Sequence, residues 1–133
     1  MWFVGVIVLL VLDVIWLSLM ARMYRKSVFD VQGYELQTRL LPAFITYALL
    51  VTAFVSYVYP VAKRDVNKNV FSTALKYGGL FGFLVYGIYN FTCLSIYRGC
   101  AWPVAIIDTI WGTALFTVVL YITLMLETEK RKN

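Results

Sequence analysis

The sequence predicts an all-α fold, an integral membrane bundle of four antiparallel transmembrane helices. Three observations carry this. The chain is 62% hydrophobic and 14% charged, against roughly 45–50% and 25% for a soluble domain, and a core of this size cannot hide that much apolar surface from water. Four stretches reach the length, about 20 mostly apolar residues, that crosses the hydrocarbon. Within them the apolar residues run almost continuously instead of alternating. That excludes membrane barrel strands and leaves helices, which satisfy their own backbone in lipid.

The first stretch covers about residues 2–20. It starts without a basic region, carries Asp13 in its apolar run and lacks a small-x-small cleavage site. It therefore reads as a retained helix and not a signal peptide. Arg22 to Arg39 is the longest connection. Tyr24, Val28 and Val31 are expected to hold part of it against the membrane interface, with Gly33 ending any helix there. The second helix is expected over about 41–61, with Pro42 in its first turn and Pro60 marking its exit. A charged turn from Lys63 to Asn69 leads to the third, about 72–97, where Lys76 snorkels from the first turn to the headgroups. After Arg98-Gly99-Cys100 the fourth begins at Trp102-Pro103 and covers about 102–126. Short connections make neighbours antiparallel, so 1–133 reads as a single up-down transmembrane domain.

The net charge is +5, with basic residues in the breaks between apolar runs and in the tail Lys130-Arg131-Lys132. That is how membrane flanks meet anionic headgroups, so the expected partner is a lipid bilayer and not nucleic acid. With four spans both termini share a side, which collects Lys63, Arg64, Lys68, Lys76 and the tail bases; Arg22, Arg25, Lys26, Arg39 and Arg98 lie opposite. The excess points the termini to the cytoplasmic or equivalent side. There is no histidine, which removes the commonest metal ligand, the usual haem ligand and the usual general base. No metal and no cofactor is expected, with bound lipid as the plausible small molecule. Cys93 and Cys100 are too few for a disulfide framework.

Depth supplies the candidate site. At about 1.5 Å of rise per residue, Asp13 lies roughly 10 Å below the surface carrying the first and third loops. Thr46 and Tyr47, Tyr89 and Asn90, and Asp108 fall near the same level. A carboxylate near the membrane centre costs about 2.5–3.5 kcal/mol, so Asp13 and Asp108 must face inward and find donors. Trp16, Trp111, Tyr47, Tyr86, Tyr89, Asn90 and Thr92 are the expected partners in one polar layer. Such a layer is either a proton, cation or solute site, or a hydrogen-bonded clamp on helix register. Its wealth of Trp and Tyr donors tips the reading toward the clamp. Leu12-Asp13-Val14-Ile15-Trp16 is echoed by Ile107-Asp108-Thr109-Ile110-Trp111, an echo short enough to arise by chance in apolar sequence.

Gly78 and Gly82 form a small-xxx-small pair, and Gly112 joins them as a packing position. The close approach is either within the bundle or between subunits. No catalytic set emerges. Asp108 follows Ile106-Ile107 and not the Gly-x-Gly of intramembrane aspartyl proteases, and no Ser–His or Cys–His arrangement exists without a histidine. A non-catalytic accessory or structural subunit, packing with other membrane subunits or with itself, fits best. A small proton- or solute-transporting protein using Asp13 and Asp108 comes second, and a lipid-directed enzyme third.

Asp13-x-x-Trp16 followed by Tyr24, Pro42-Ala43 with Tyr47 a turn later, Pro60, the run Tyr86-Gly87-Ile88-Tyr89-Asn90-Phe91-Thr92-Cys93-Leu94, then Trp102-Pro103 and Asp108-x-x-Trp111-Gly112 recur together in order and spacing. On these residues the chain resembles the membrane proteins grouped as domain of unknown function 2177, over nearly its whole length. The resemblance implies a four-helix membrane protein and no established activity. It places an aspartate at the position of Asn90 and an asparagine at that of Cys93, so this chain carries one carboxylate fewer in the layer.

Overall fold

The computed structural model describes residues 1–66 and 69–132, with side chains as far as Lys130. The chain is 87% helical, with no strand among the described residues. Four helices are long and apolar enough to cross a membrane: α1, Trp2–Leu19; α3, Leu40–Arg64; α4, Val70–Ile96; and α5, Trp102–Lys132. Between the first two lies α2, Ala21–Gln32. The charge count that oriented the termini drew on Lys68 and the side chains of Arg131 and Lys132, which lie outside the described residues.

The 18 residues of α1 rise about 27 Å, close to the hydrocarbon thickness. Its backbone turns at Met20 (φ −94°, ψ 7°). Helical bonding nonetheless continues through the kink, from Met20 N–H to the Trp16 carbonyl (2.9 Å) and from Tyr24 N–H to Met20 (3.1 Å). Helix α2 has two distinct faces: Arg22, Arg25, Lys26 and Phe29 are exposed, while Tyr24, Val28 and Val31 are half-buried. It stops at Gly33, whose φ of 78° is left-handed, a conformation that costs glycine nothing.

Pro60 was expected to mark the exit of the second helix, but α3 continues past it to Arg64. Proline lacks an N–H and its ring crowds the carbonyl one turn back. Here Phe54–Val58 widens into a π-helical turn immediately before it, and that turn accommodates the ring without ending the helix. The third helix starts two residues earlier than expected because Asn69 caps it, its side chain accepting from Ser72 N–H at 3.0 Å. A second π-helical turn spans Leu75–Gly79. The last helix outruns its apolar stretch because its extension is pinned: Lys63 pairs with Glu127 at 2.6 Å, and the Tyr59 hydroxyl donates to Glu127 at 2.9 Å.

Half of the most apolar stretch of α5 is buried inside the bundle, against 11% for that of α3, so α5 is the axis of the bundle and α3 its outer helix. The core gathers on α5: Leu115, Phe116, Val119, Leu120 and Leu124 are sealed together with Leu9 and Phe54. Phe116 meets Phe81 edge-on at 4.8 Å and lies 6.2 Å from Phe54. α4 reaches α5 through glycine. A Cβ on Gly82 would strike the Gly112 carbonyl, one on Gly78 the Phe116 carbonyl, and one on Gly112 the Tyr86 ring. The close approach left open by the sequence therefore lies inside the bundle. Leu40, Phe44, Tyr57, Leu80, Ile88 and Ile110 point outward, the arrangement expected where lipid is the solvent.

Candidate functional site: a buried network around two aspartates

Asp13 of α1 and Asp108 of α5 are only 6% and 9% exposed, so each must find its hydrogen bonds within the protein. Asp13 has three neutral donors. Tyr47 of α3 donates to one carboxylate oxygen at 2.5 Å. Tyr86 of α4 and the Trp111 indole of α5 donate to the other, each at 3.3 Å. Asp108 has two: the Asn90 amide at 2.7 Å and the Tyr24 hydroxyl. Tyr24 in turn accepts from the Trp16 indole at 2.9 Å. Trp16 and Trp111 stack face to face, centroids 4.4 Å apart and planes within 3°. Asn90 also donates to the Tyr86 carbonyl at 2.9 Å, which fixes its amide. No buried side-chain nitrogen or oxygen among the described residues lacks a partner.

Seven residues named from the sequence thus come together: Asp13, Trp16, Tyr47, Tyr86, Asn90, Asp108 and Trp111. Tyr89 and Thr92 do not. Tyr89 is 67% exposed and Thr92 is exposed as well. Successive helix positions are about 100° apart, so when Asn90 faces inward, its neighbours at 89 and 92 turn away. Thr46 is also exposed and bonds back to the Pro42 carbonyl at 3.0 Å. The single level is corrected too. The aspartates occupy two tiers about one helical turn apart, since their partners on α4, Tyr86 and Asn90, are four residues apart.

Tyr24 is the member that depth alone missed. It lies beyond the end of α1, on the segment assigned to the membrane interface. The kink at Met20 turns it over the end of the bundle, where its hydroxyl reaches Asp108. The signal that pointed to it was its place after Asp13-x-x-Trp16.

Arrangement limits chemistry here. A group that passes a proton along must both accept and donate one. Indole and amide N–H groups only donate. From Asp108 the hydrogen bonds run through Tyr24 to the Trp16 indole, and through the Asn90 amide N–H, which also reaches the Tyr86 backbone carbonyl; Asp13 receives from Tyr47, Tyr86 and Trp111, none of which bonds to Asp108. Both paths stop at donor-only groups. Five hydrogen bonds at about 0.6–1.7 kcal/mol each in a membrane protein are comparable with the insertion cost of two carboxylates, about 2.5–3.5 kcal/mol each. Among the described residues, no three Asp, Glu or Cys side chains gather as a metal site would require. An apolar groove of about 560 Å³ lies on the outer surface between α4 and α5, lined by residues such as Phe71, Phe83, Ile110 and Val118; none of the network residues lines it.

Neither a curated protein nor a solved structure matches the chain. Over residues 1–125 it matches the family described as "Predicted membrane protein (DUF2177)". With four membrane-length apolar helices tied together by an aspartate-centred network, this chain belongs to the DUF2177 family of membrane proteins.

Proposed function

We propose that the protein is a non-catalytic membrane component, an accessory or structural subunit of a larger assembly or of a homo-oligomer, and that Asp13 and Asp108 clamp its helices in register. The observation that carries this reading is that each oxygen of both carboxylates accepts from at least one neutral donor, the donors being drawn from α2, α3, α4 and α5. A transport site keeps room and unspent hydrogen bonds for its cargo. The outer helix α3 supports the second half of the proposal. It buries little within the bundle and presents Leu40, Leu41, Phe44, Leu49 and Tyr57 outward, a broad face for a neighbouring membrane helix. No enzymatic role is proposed.

Two experiments test this. Extraction from the native membrane in mild detergent, followed by native mass measurement, should recover the protein with larger subunits in fixed stoichiometry or as a defined oligomer; a lone monomer would overturn the subunit reading. Asp13→Asn and Asp108→Asn should each lower unfolding stability by about 1–2 kcal/mol, because an amide places N–H groups against donors. Neither should alter proton flux in liposomes. Unchanged stability together with abolished pH-driven flux would favour the alternative, a small proton- or solute-transporting protein whose two buried acids carry the charge.

A further inference from the structure

The outward face of α2 is the strongest charged surface the network does not use. Arg22, Arg25 and Lys26 sit at i, i+3 and i+4, so they share one side of the helix, and all three are exposed. Among the described residues none of them pairs with an acid. The two ion pairs among the described residues, Lys63–Glu127 and Lys76–Asp65, lie at the opposite end of the bundle. Even Asp30, four residues beyond Lys26, forms no ion pair among the described residues. Phe29 continues the same face and is 52% exposed. Unpaired bases followed by an exposed aromatic ring form a surface suited to a lipid headgroup layer.

Depth agrees. Leu19 ends the first crossing, and Arg22 to Lys26 follow three to seven residues later, at most about 5–10 Å of helix rise. The headgroup region extends roughly 5–8 Å beyond the hydrocarbon. The guanidinium and ammonium groups therefore stand at the level of lipid phosphates. The opposite face of the same helix carries Tyr24, which bridges the Trp16 indole and Asp108. The far end of α2 is seated as well, since a Cβ on Gly99 of the third loop would strike the Asp30 carbonyl.

We propose that the Arg22–Arg25–Lys26 face of α2 docks anionic phospholipid headgroups, and that this docking holds α2 across the end of the bundle with Tyr24 on Asp108. The inference is independent of whether the protein is an accessory subunit. Anionic lipid is the occupant because the face is cationic, lies at phosphate depth and follows directly from a membrane-spanning helix.

The test places the whole protein in phosphatidylcholine nanodiscs with and without phosphatidylglycerol and follows amide hydrogen exchange along α2. Phosphatidylglycerol should slow that exchange, and each neutralised base should weaken phosphatidylglycerol retention, read by native mass, roughly fivefold. The triple variant Arg22→Gln, Arg25→Gln, Lys26→Gln should match wild type in phosphatidylcholine and show no response to phosphatidylglycerol. Should the triple variant fail to fold, Arg25→Gln alone should match wild type in phosphatidylcholine and show a phosphatidylglycerol response weakened roughly fivefold. Tyr24→Phe should keep lipid retention while raising α2 exchange in both membranes. Identical α2 exchange with and without phosphatidylglycerol would overturn the proposal, as would a triple variant that still responds. Equal protection by inorganic phosphate in phosphatidylcholine discs would also overturn it, by showing an anion site and not a lipid-docking surface.

Discussion

Asn90 and Tyr89 are adjacent in the chain and opposite in environment. Asn90 is 7% exposed and bonds to Asp108, while Tyr89 is 67% exposed. A difference of that size makes side chains of similar composition separable by substitution. Tyr24→Phe removes one of the two donors on Asp108 and leaves the Trp16 indole without its acceptor. It should cost about 1–2 kcal/mol in a detergent unfolding titration. Tyr89→Phe, which touches no partner in the network, should change stability by less than about 0.5 kcal/mol. Comparable losses in the two variants would mean that the network is not what holds this end of the molecule.

Helices α4 and α5 approach through glycines whose missing side chains are not interchangeable. At Gly82 a methyl group would run into the Gly112 carbonyl, so backbone would have to move. Gly82→Ala should therefore cost about 1–3 kcal/mol through overpacking. At Gly87 the nearest atom to an added Cβ is the Thr109 methyl at 3.6 Å, an ordinary contact. Gly87→Ala should be neutral to within about 0.5 kcal/mol. Thermal midpoints of the two variants, measured side by side, check the pair. α3 shows the converse case, in which a helix breaker is absorbed. Pro60 sits just after a π-helical turn, so the residue that signalled an end instead sits within a continuous helix.

The two ends of the molecule are held by different forces. One end is tied by the buried hydrogen bonds of Tyr, Trp and Asn donors to two aspartates. At the other, Lys63–Glu127 and Lys76–Asp65 form ion pairs, with Tyr77 donating to Asp65 at 2.6 Å. The Tyr77 hydroxyl, and after it the Lys76 ammonium, hold the Asp65 carboxyl below the usual carboxylate range. A carboxyl lowered in the folded state contributes stability above its ordinary pKa and loses it as pH falls through the lowered one. The thermal midpoint should therefore drop on acidification below about pH 4, and less so in Asp65→Asn. Because Asp65 is exposed, the difference should be modest and shrink with added salt. Symmetry is also local. α1 and α5 run antiparallel and cross at the Trp16–Trp111 stack, so the two Asp-x-x-Trp segments meet head to tail.

Residue order alone determined that the chain crosses a membrane four times, which segments cross, that Gly33 closes a helix, and that Asp13 and Asp108 require buried partners. Unsatisfied backbone and charge cost so much in hydrocarbon that length and apolarity leave few options. Only the tertiary structure decided which side of each crossing helix faces inward. Lipid and protein core are equally apolar, so no amphipathic stripe distinguishes Asn90 from Tyr89 or Thr92, or assigns the glycine face of α4 to α5 and not to another subunit. It also brought Tyr24 over the end of the bundle, because the small backbone change at Met20 that turns α2 inward leaves no mark in composition or periodicity.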